Sequence, residues 1–133
     1  MAASPKTRKA IQQLDEAMKP LPTTVQVHRG MGHANFWPDG DLTGETVRDL
    51  GFGSTSMTHA FGGQVQMHIT VPAGIKAMPL KDLSNFQHED ELLLQRGLGY
   101  KVVGDFVDPN GVRHITCIAV PPPDPDPYDA MKG

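Results

Sequence analysis

The amino-acid sequence predicts a strand-rich α+β fold with one clear helix, one short helix and six or seven strands. Three observations carry that reading. Residues 64–71 alternate strictly, with Val65, Met67, Ile69 and Val71 pointing one way and polar residues the other, as in a half-buried strand. Asp108-Pro109-Asn110-Gly111 separates two further apolar runs, 100–107 and 112–120, and reads as the turn of a hairpin. Helical spacing is clear only near the N-terminus, where Ile11, Leu14 and Met18 recur with Ala17 beside them.

Taken in order, Ser4 reads as a helix cap with Pro5 at the first helical position, and Pro20 and Pro22 stop that helix. Residues 25–29 alternate and end at Gly30, a strand with Arg29 at its end. Residues 31–41 are rich in glycine and polar groups and form a loop containing Phe36 and Trp37. Residues 43–50 are expected to form the short helix, with Val47 and Leu50 on its inner side. Gly51-Phe52-Gly53-Ser54-Thr55-Ser56 reads as a strand ending in hydroxyls. Pro72-Ala73-Gly74 is a turn, and 75–80 a short strand that Pro79 assigns to an edge. Glu89-Asp90-Glu91-Leu92-Leu93-Leu94 reads as a loop running into a buried strand. Residues two apart on a strand share a face, so Glu89 and Glu91 point the same way, roughly 7 Å apart. Gly97-Leu98-Gly99 is a turn. Residues 1–120 read as one domain, followed by a proline- and aspartate-rich tail over 121–133 that is expected to be flexible.

Composition narrows the function. The 133 residues suffice for one domain with a real core, and 38% apolar and 20% charged residues fit a soluble globular protein. A net charge of −3 argues against nucleic acid held through its phosphates. No apolar run is long enough to cross a membrane, and residues 1–6 contain no signal-peptide core. Cys117 is the one cysteine, which excludes an internal disulfide and a cysteine-rich zinc site. Its place within Ile115-Thr116-Cys117-Ile118 makes it a small core residue. His68 falls on the polar face of its strand and is expected to be solvated. His33, His59 and His88 fall in loops without metal-ligand spacing, so no metal is expected.

Three polar elements stand at strand ends: Arg29-Gly30, Ser54-Thr55-Ser56 and Glu89-Asp90-Glu91. Each alone is ordinary surface or loop material. In this order, within His28-Arg29-Gly30, Gly51-Phe52-Gly53-Ser54-Thr55-Ser56 and Glu89-Asp90-Glu91-Leu92-Leu93-Leu94-Gln95-Arg96-Gly97, they resemble the mono-ADP-ribosyltransferases of the arginine–serine–glutamate class. That class includes the enzymatic components of clostridial binary toxins and related bacterial and phage-borne domains. Val71-Pro72-Ala73-Gly74 and Leu83-Ser84-Asn85-Phe86 fit the same pattern, and the likeness covers about residues 10–120. Two features depart from it. His28 replaces an aromatic residue before the arginine, and only one helix precedes Arg29, which fits either a compact member or the C-terminal catalytic part of a longer protein.

The resemblance implies two packed, mostly antiparallel sheets that form an NAD cleft with one or two flanking helices. It implies NAD as co-substrate and transfer of ADP-ribose to an arginine of a target protein, with release of nicotinamide. Arg29 suits the NAD pyrophosphate because guanidinium is always charged and offers a fork of donors. Gly30 lets the cofactor approach the backbone. Departure of nicotinamide leaves an oxocarbenium-like ribose, whose charge a nearby carboxylate stabilises; Glu91 takes that role. Ser54 fixes Glu91 by a hydrogen bond, and Thr55 and Ser56 brace the cofactor site. Phe61 matches the aromatic that packs on nicotinamide, or else anchors its loop in the core. Glu89 orients the acceptor guanidinium and takes up its proton; in this family a glutamate at that position goes with arginine acceptors. Phe86 is either an exposed contact to the target protein or a buried staple.

Two other readings use the same residues. One is an NAD glycohydrolase, with water as acceptor. The other is a phage- or toxin-associated structural module that keeps the fold without turnover. The expected place of action for an enzyme of this kind is the cytoplasm of a host or target cell.

Overall fold

The computed structural model describes residues 4–31, 37–38, 40–49, 51–57, 64–79 and 91–122. It begins with helix α1 (Pro5–Ala17). Ser4 caps it, accepting a hydrogen bond from the Thr7 amide at 3.2 Å, an arrangement worth about 1 kcal/mol. Pro5 takes the first helical position, where no amide hydrogen is needed. No helix among these residues is long and apolar enough to cross a membrane.

Nine strands follow among the described residues: β1 (Lys19–Pro20), β2 (Val25–Met31), β3 (Thr46–Arg48), β4 (Gly53–Ser56), β5 (Val65–Val71), β6 (Lys76–Pro79), β7 (Glu91–Leu94), β8 (Gly99–Val107) and β9 (Arg113–Val120). They form one continuous mixed sheet in the order β1-β6-β7-β4-β2-β5-β9-β8-β3. All neighbours are antiparallel except β5 and β9. The two expected sheets are the two halves of this ribbon, joined where β2 meets β4 through the single pair His28↔Ser56. The halves share one core. Val27, Met67, Ile69, Ile115 and Cys117 from the β2–β5–β9 half pack in the same cluster as Ala77, Leu92 and Leu94 from the β6–β7 half, and Trp37 joins them. Each such fully buried aliphatic side chain contributes about 1.5–3 kcal/mol.

The other face of the β6–β7 half is covered by α1. Met18 packs there with Met78 and Leu93, and Leu14 and Phe52 lie against them. Arg96, just after β7, reaches back to α1 and donates from Nε to both carboxylate oxygens of Asp15 at 3.1 Å, with a further bond from Nη2. That ion pair locks the helix to the end of the glutamate strand.

Three expectations are corrected. The helix expected over 43–50 is not formed by 43–49: Gly44 has a positive φ of 93°, and the chain continues into β3, which pairs with β8; Leu50 lies outside the described residues. β-branched Thr46 and Val47 fit a strand better than a helix, and the backbone bonds Gly44 N–H to Val102 O and Val102 N–H to Glu45 O, both 2.8 Å, tie this segment to β8. Arg29 does not end its strand, because β2 runs on to Met31. Pro79 is one strand in from the edge, but β1 pairs only with Lys76 and Ala77, so its missing amide hydrogen is not asked to pair there. The hairpin stands as read: Gly111, with φ of 83°, closes the turn with its amide donating to Asp108 O at 3.0 Å.

Candidate active site

The three polar elements come to adjacent strands. Arg29 is on β2, Ser54, Thr55 and Ser56 are on β4, and Glu91 opens β7; β4 lies between the other two. The registers His28↔Ser56 and Ser56↔Glu91 put His28, Ser56 and Glu91 in one row across the sheet junction. Directly opposed residues on neighbouring strands share a face, so these three side chains start from the same side. Ser54, two residues from Ser56 and opposite Leu93, is on that side as well and is exposed.

Thr55 alternates to the core side. It is almost fully buried, and its hydroxyl donates to Leu92 O at 2.8 Å. It braces β4 against β7 directly beside Glu91. Gly53 faces the same way as Thr55, and a Cβ there would meet Tyr100 Oη at 3.2 Å, Arg29 Nη1 at 3.7 Å and Leu94 Cβ at 3.8 Å. The missing side chain of Gly53 makes room for the Tyr100 hydroxyl, with the Arg29 guanidinium close by.

Arg29 is held by Asp49, in the segment between β3 and β4, with Nη1 donating to Oδ2 at 3.3 Å. Asp49 is itself fixed: its Oδ1 accepts from the Gly51 amide at 2.9 Å, and its backbone pairs with Leu98 O and the Gly97 amide, each at 2.9 Å. Burial, reinforced by the Asp49 carboxylate and opposed by Arg29, holds the Tyr100 phenol far above its ordinary range, so it stays protonated. Arg29 therefore joins β2 to Asp49 on the core side of the junction, near Tyr100 of β8, and Glu91 starts from the other side. Gly30 continues β2 opposite Gln66. Glu89, Phe61 and Phe86 lie outside the described residues.

Cys117 is fully buried, and burial pushes its thiol up to about 12, which makes it a packing residue and not a nucleophile. His68, expected in solvent, is instead the middle of a hydrogen-bonded line. Its Nδ1 lies 3.0 Å from His28 Nδ1, its Nε2 lies 3.0 Å from His114 Nδ1, and His114 Nε2 lies 2.8 Å from Asp108 Oδ2. Only strand register brings these residues together, so no short sequence spacing signals them. Among the described residues no group of three or more His, Cys, Asp or Glu is arranged to hold a metal ion; the three imidazoles form a line and do not converge.

A mixed sheet folded on itself, with arginine, Ser-Thr-Ser and glutamate on the three strands at the fold, defines the class. The family model of the ADP-ribosyltransferase exoenzymes matches residues 1–119, and the chain belongs to that family. Among solved structures it is similar to C3larvin, an ADP-ribosyltransferase toxin from Paenibacillus larvae, with 26% identity over 91% of this chain and 74% of that one and a TM-score of 0.72. The Clostridium limosum C3 exoenzyme shares the fold at 22% identity, covering 89% and 71% of the two chains with a TM-score of 0.76. C3stau2 from S. aureus, solved with NAD, does so at 18% identity, covering 90% and 73% with a TM-score of 0.74. No curated protein sequence matches the chain.

Proposed function

We propose that this protein transfers ADP-ribose from NAD to an arginine side chain of a target protein and releases nicotinamide. The observation that supports this reading most is the row His28–Ser56–Glu91, with Ser54 two residues along β4 on the same side; Arg29, next to His28 on β2, starts from the opposite side of the strand. Within the row Glu91 faces the ribose as nicotinamide departs, and its carboxylate stabilises the developing positive charge. Ser54 positions Glu91. Arg29, held by Asp49, supplies positive charge for the pyrophosphate, and Gly30 leaves the backbone open to the cofactor. Glu89 orients the incoming guanidinium and accepts the proton it loses on attack. Phe61 packs on the nicotinamide ring, and Phe86 contacts the target.

The test is incubation with isotopically labelled NAD and a mixed protein lysate, followed by mass-spectrometric assignment of each labelled residue and measurement of free nicotinamide. Label on arginine is the expected result. Label confined to another residue type would overturn arginine specificity, nicotinamide without labelled protein would make the chain a glycohydrolase, and neither product would leave the fold without turnover.

A further inference from the structure

The line His28–His68–His114–Asp108 crosses β2, β5 and β9 to the β8–β9 turn. It starts in the row that holds Ser56 and Glu91. Its hydrogen bonds can be assigned from its far end, because a carboxylate only accepts. His114 Nε2, 2.8 Å from Asp108 Oδ2, must therefore carry a hydrogen. In neutral His114 the other nitrogen, Nδ1, is then an acceptor, and it takes its bond from His68 Nε2 at 3.0 Å. His68 Nδ1 is left as an acceptor, and His28 Nδ1 donates to it at 3.0 Å. His28 Nε2 is then a lone pair. One carboxylate at the hairpin thus sets the tautomer of three rings and leaves an acceptor at the site end.

We propose that Asp108 and His114 are positioning residues for the active site, acting through His68 to hold His28 as an uncharged Nδ1–H tautomer beside the Ser56–Glu91 row. The inference rests on the reading of that row as catalytic. Burial and the neighbouring His28 and His114 disfavour charge on His68, the ring through which the two ends of the line communicate. Of the other charged groups nearby, Lys101, opposite Ile118, is on the same face but exposed. Arg113 and Asp105 pair with each other, on strand positions that alternate with His114 and Phe106. The Phe106 ring stacks on His114 with centroids 5.0 Å apart and keeps that imidazole in plane.

Asp108→Asn is the informative change. An asparagine can donate to His114 Nε2, so the whole line can reverse and leave His28 with a hydrogen on Nε2. Long-range proton–nitrogen spectra of the full chain carrying labelled histidine report each tautomer, and nicotinamide release from pH 5 to 9 reports the reaction. Expected are an Nδ1–H His28 in the parent protein, a substantial Nε2–H fraction in Asp108→Asn, and a several-fold loss of turnover with NAD affinity kept. In His68→Gln the added Asp108→Asn should have no further effect on turnover or on the His28 tautomer. An unchanged His28 tautomer in a folded Asp108→Asn protein would overturn the proposal. Absence of nicotinamide release from the parent protein would instead count against the enzymatic reading, and the tautomers would still decide whether the line acts as a unit.

Discussion

At the scale of single residues, Arg29 shows how the structure changes what a substitution should do. From sequence it ends a strand and is free to bind phosphate. In the fold it lies within β2, a quarter exposed, and bonds Asp49 beside Tyr100. Arg29→Ala should weaken NAD binding and also cost stability, on the order of 1–3 kcal/mol for a partly buried charged hydrogen bond. Calorimetric titration with NAD and urea unfolding read the two effects separately, and unchanged affinity would remove Arg29 from the cofactor site. Ser54 is exposed and sits two residues from the partner of Glu91, so Ser54→Ala should lower turnover less than Glu91→Gln does, with NAD affinity kept. Equal losses would make Ser54 more than a support. The proposed site residues are legible in the sequence only as a set, because Arg-Gly, Ser-Thr-Ser and Glu-x-Glu are each ordinary alone and become distinctive in their order. Asp49 and the histidine line are not legible there, because what identifies them is contact between residues 20 to 46 positions apart.

At the scale of elements, the strands with strict alternation were legible and the weakly patterned ones were not. β5 sits between β2 and β9 with one face in the core, so period two survives intact in its sequence. β3 is three residues long, with only Val47 partly buried. Val47 and Leu50 happen to fit a helical spacing, and tertiary pairing with β8 overrides it. β1 is two residues long and carries no pattern at all. The Arg96–Asp15 pair is the element-level device that the motif Arg96-Gly97 encodes, since it joins α1 to the strand that presents Glu91. Arg96 is nearly buried and Asp15 about a third exposed. Arg96→Ala should therefore destabilise by about 2–3 kcal/mol, toward the low end of values for buried pairs, and Arg96→Lys should recover little because it cannot match both carboxylate oxygens. Denaturant midpoints of the two variants check this.

At the scale of the whole molecule, pH reports on the histidine line. The folded state holds His68 below its ordinary value of 6.5, through burial first and then through His28 and His114. The unfolded chain therefore takes up the proton first. The His68 contribution to stability is full above about pH 6.5, declines as the pH falls below it, and levels off beneath the folded-state value. Asp105 acts lower on the scale. Its hydrogen bonds from Arg113, the largest cause, keep its carboxyl below the ordinary 3.8, so its contribution is present above that value and lost as the pH drops through the depressed one. Urea midpoints should fall in two stages on acidification, and His68→Gln should abolish the first. A first stage that persists in that variant would assign it to other groups.

The most direct test of the account is a side-by-side measurement of nicotinamide release and arginine labelling in Glu91→Gln and Glu89→Gln. Glu91 opens β7 opposite Ser56 and leads into the buried Leu92-Leu93-Leu94 run, so its carboxylate is well placed to be held rigid. Removing a preorganised charge of this kind costs on the order of 100-fold or more in rate. Glu91→Gln should therefore lose both activities. Glu89→Gln should lose transfer to arginine and keep much of the nicotinamide release, since water needs no deprotonated guanidinium. Near-normal nicotinamide release by a folded Glu91→Gln protein would contradict the account at its centre.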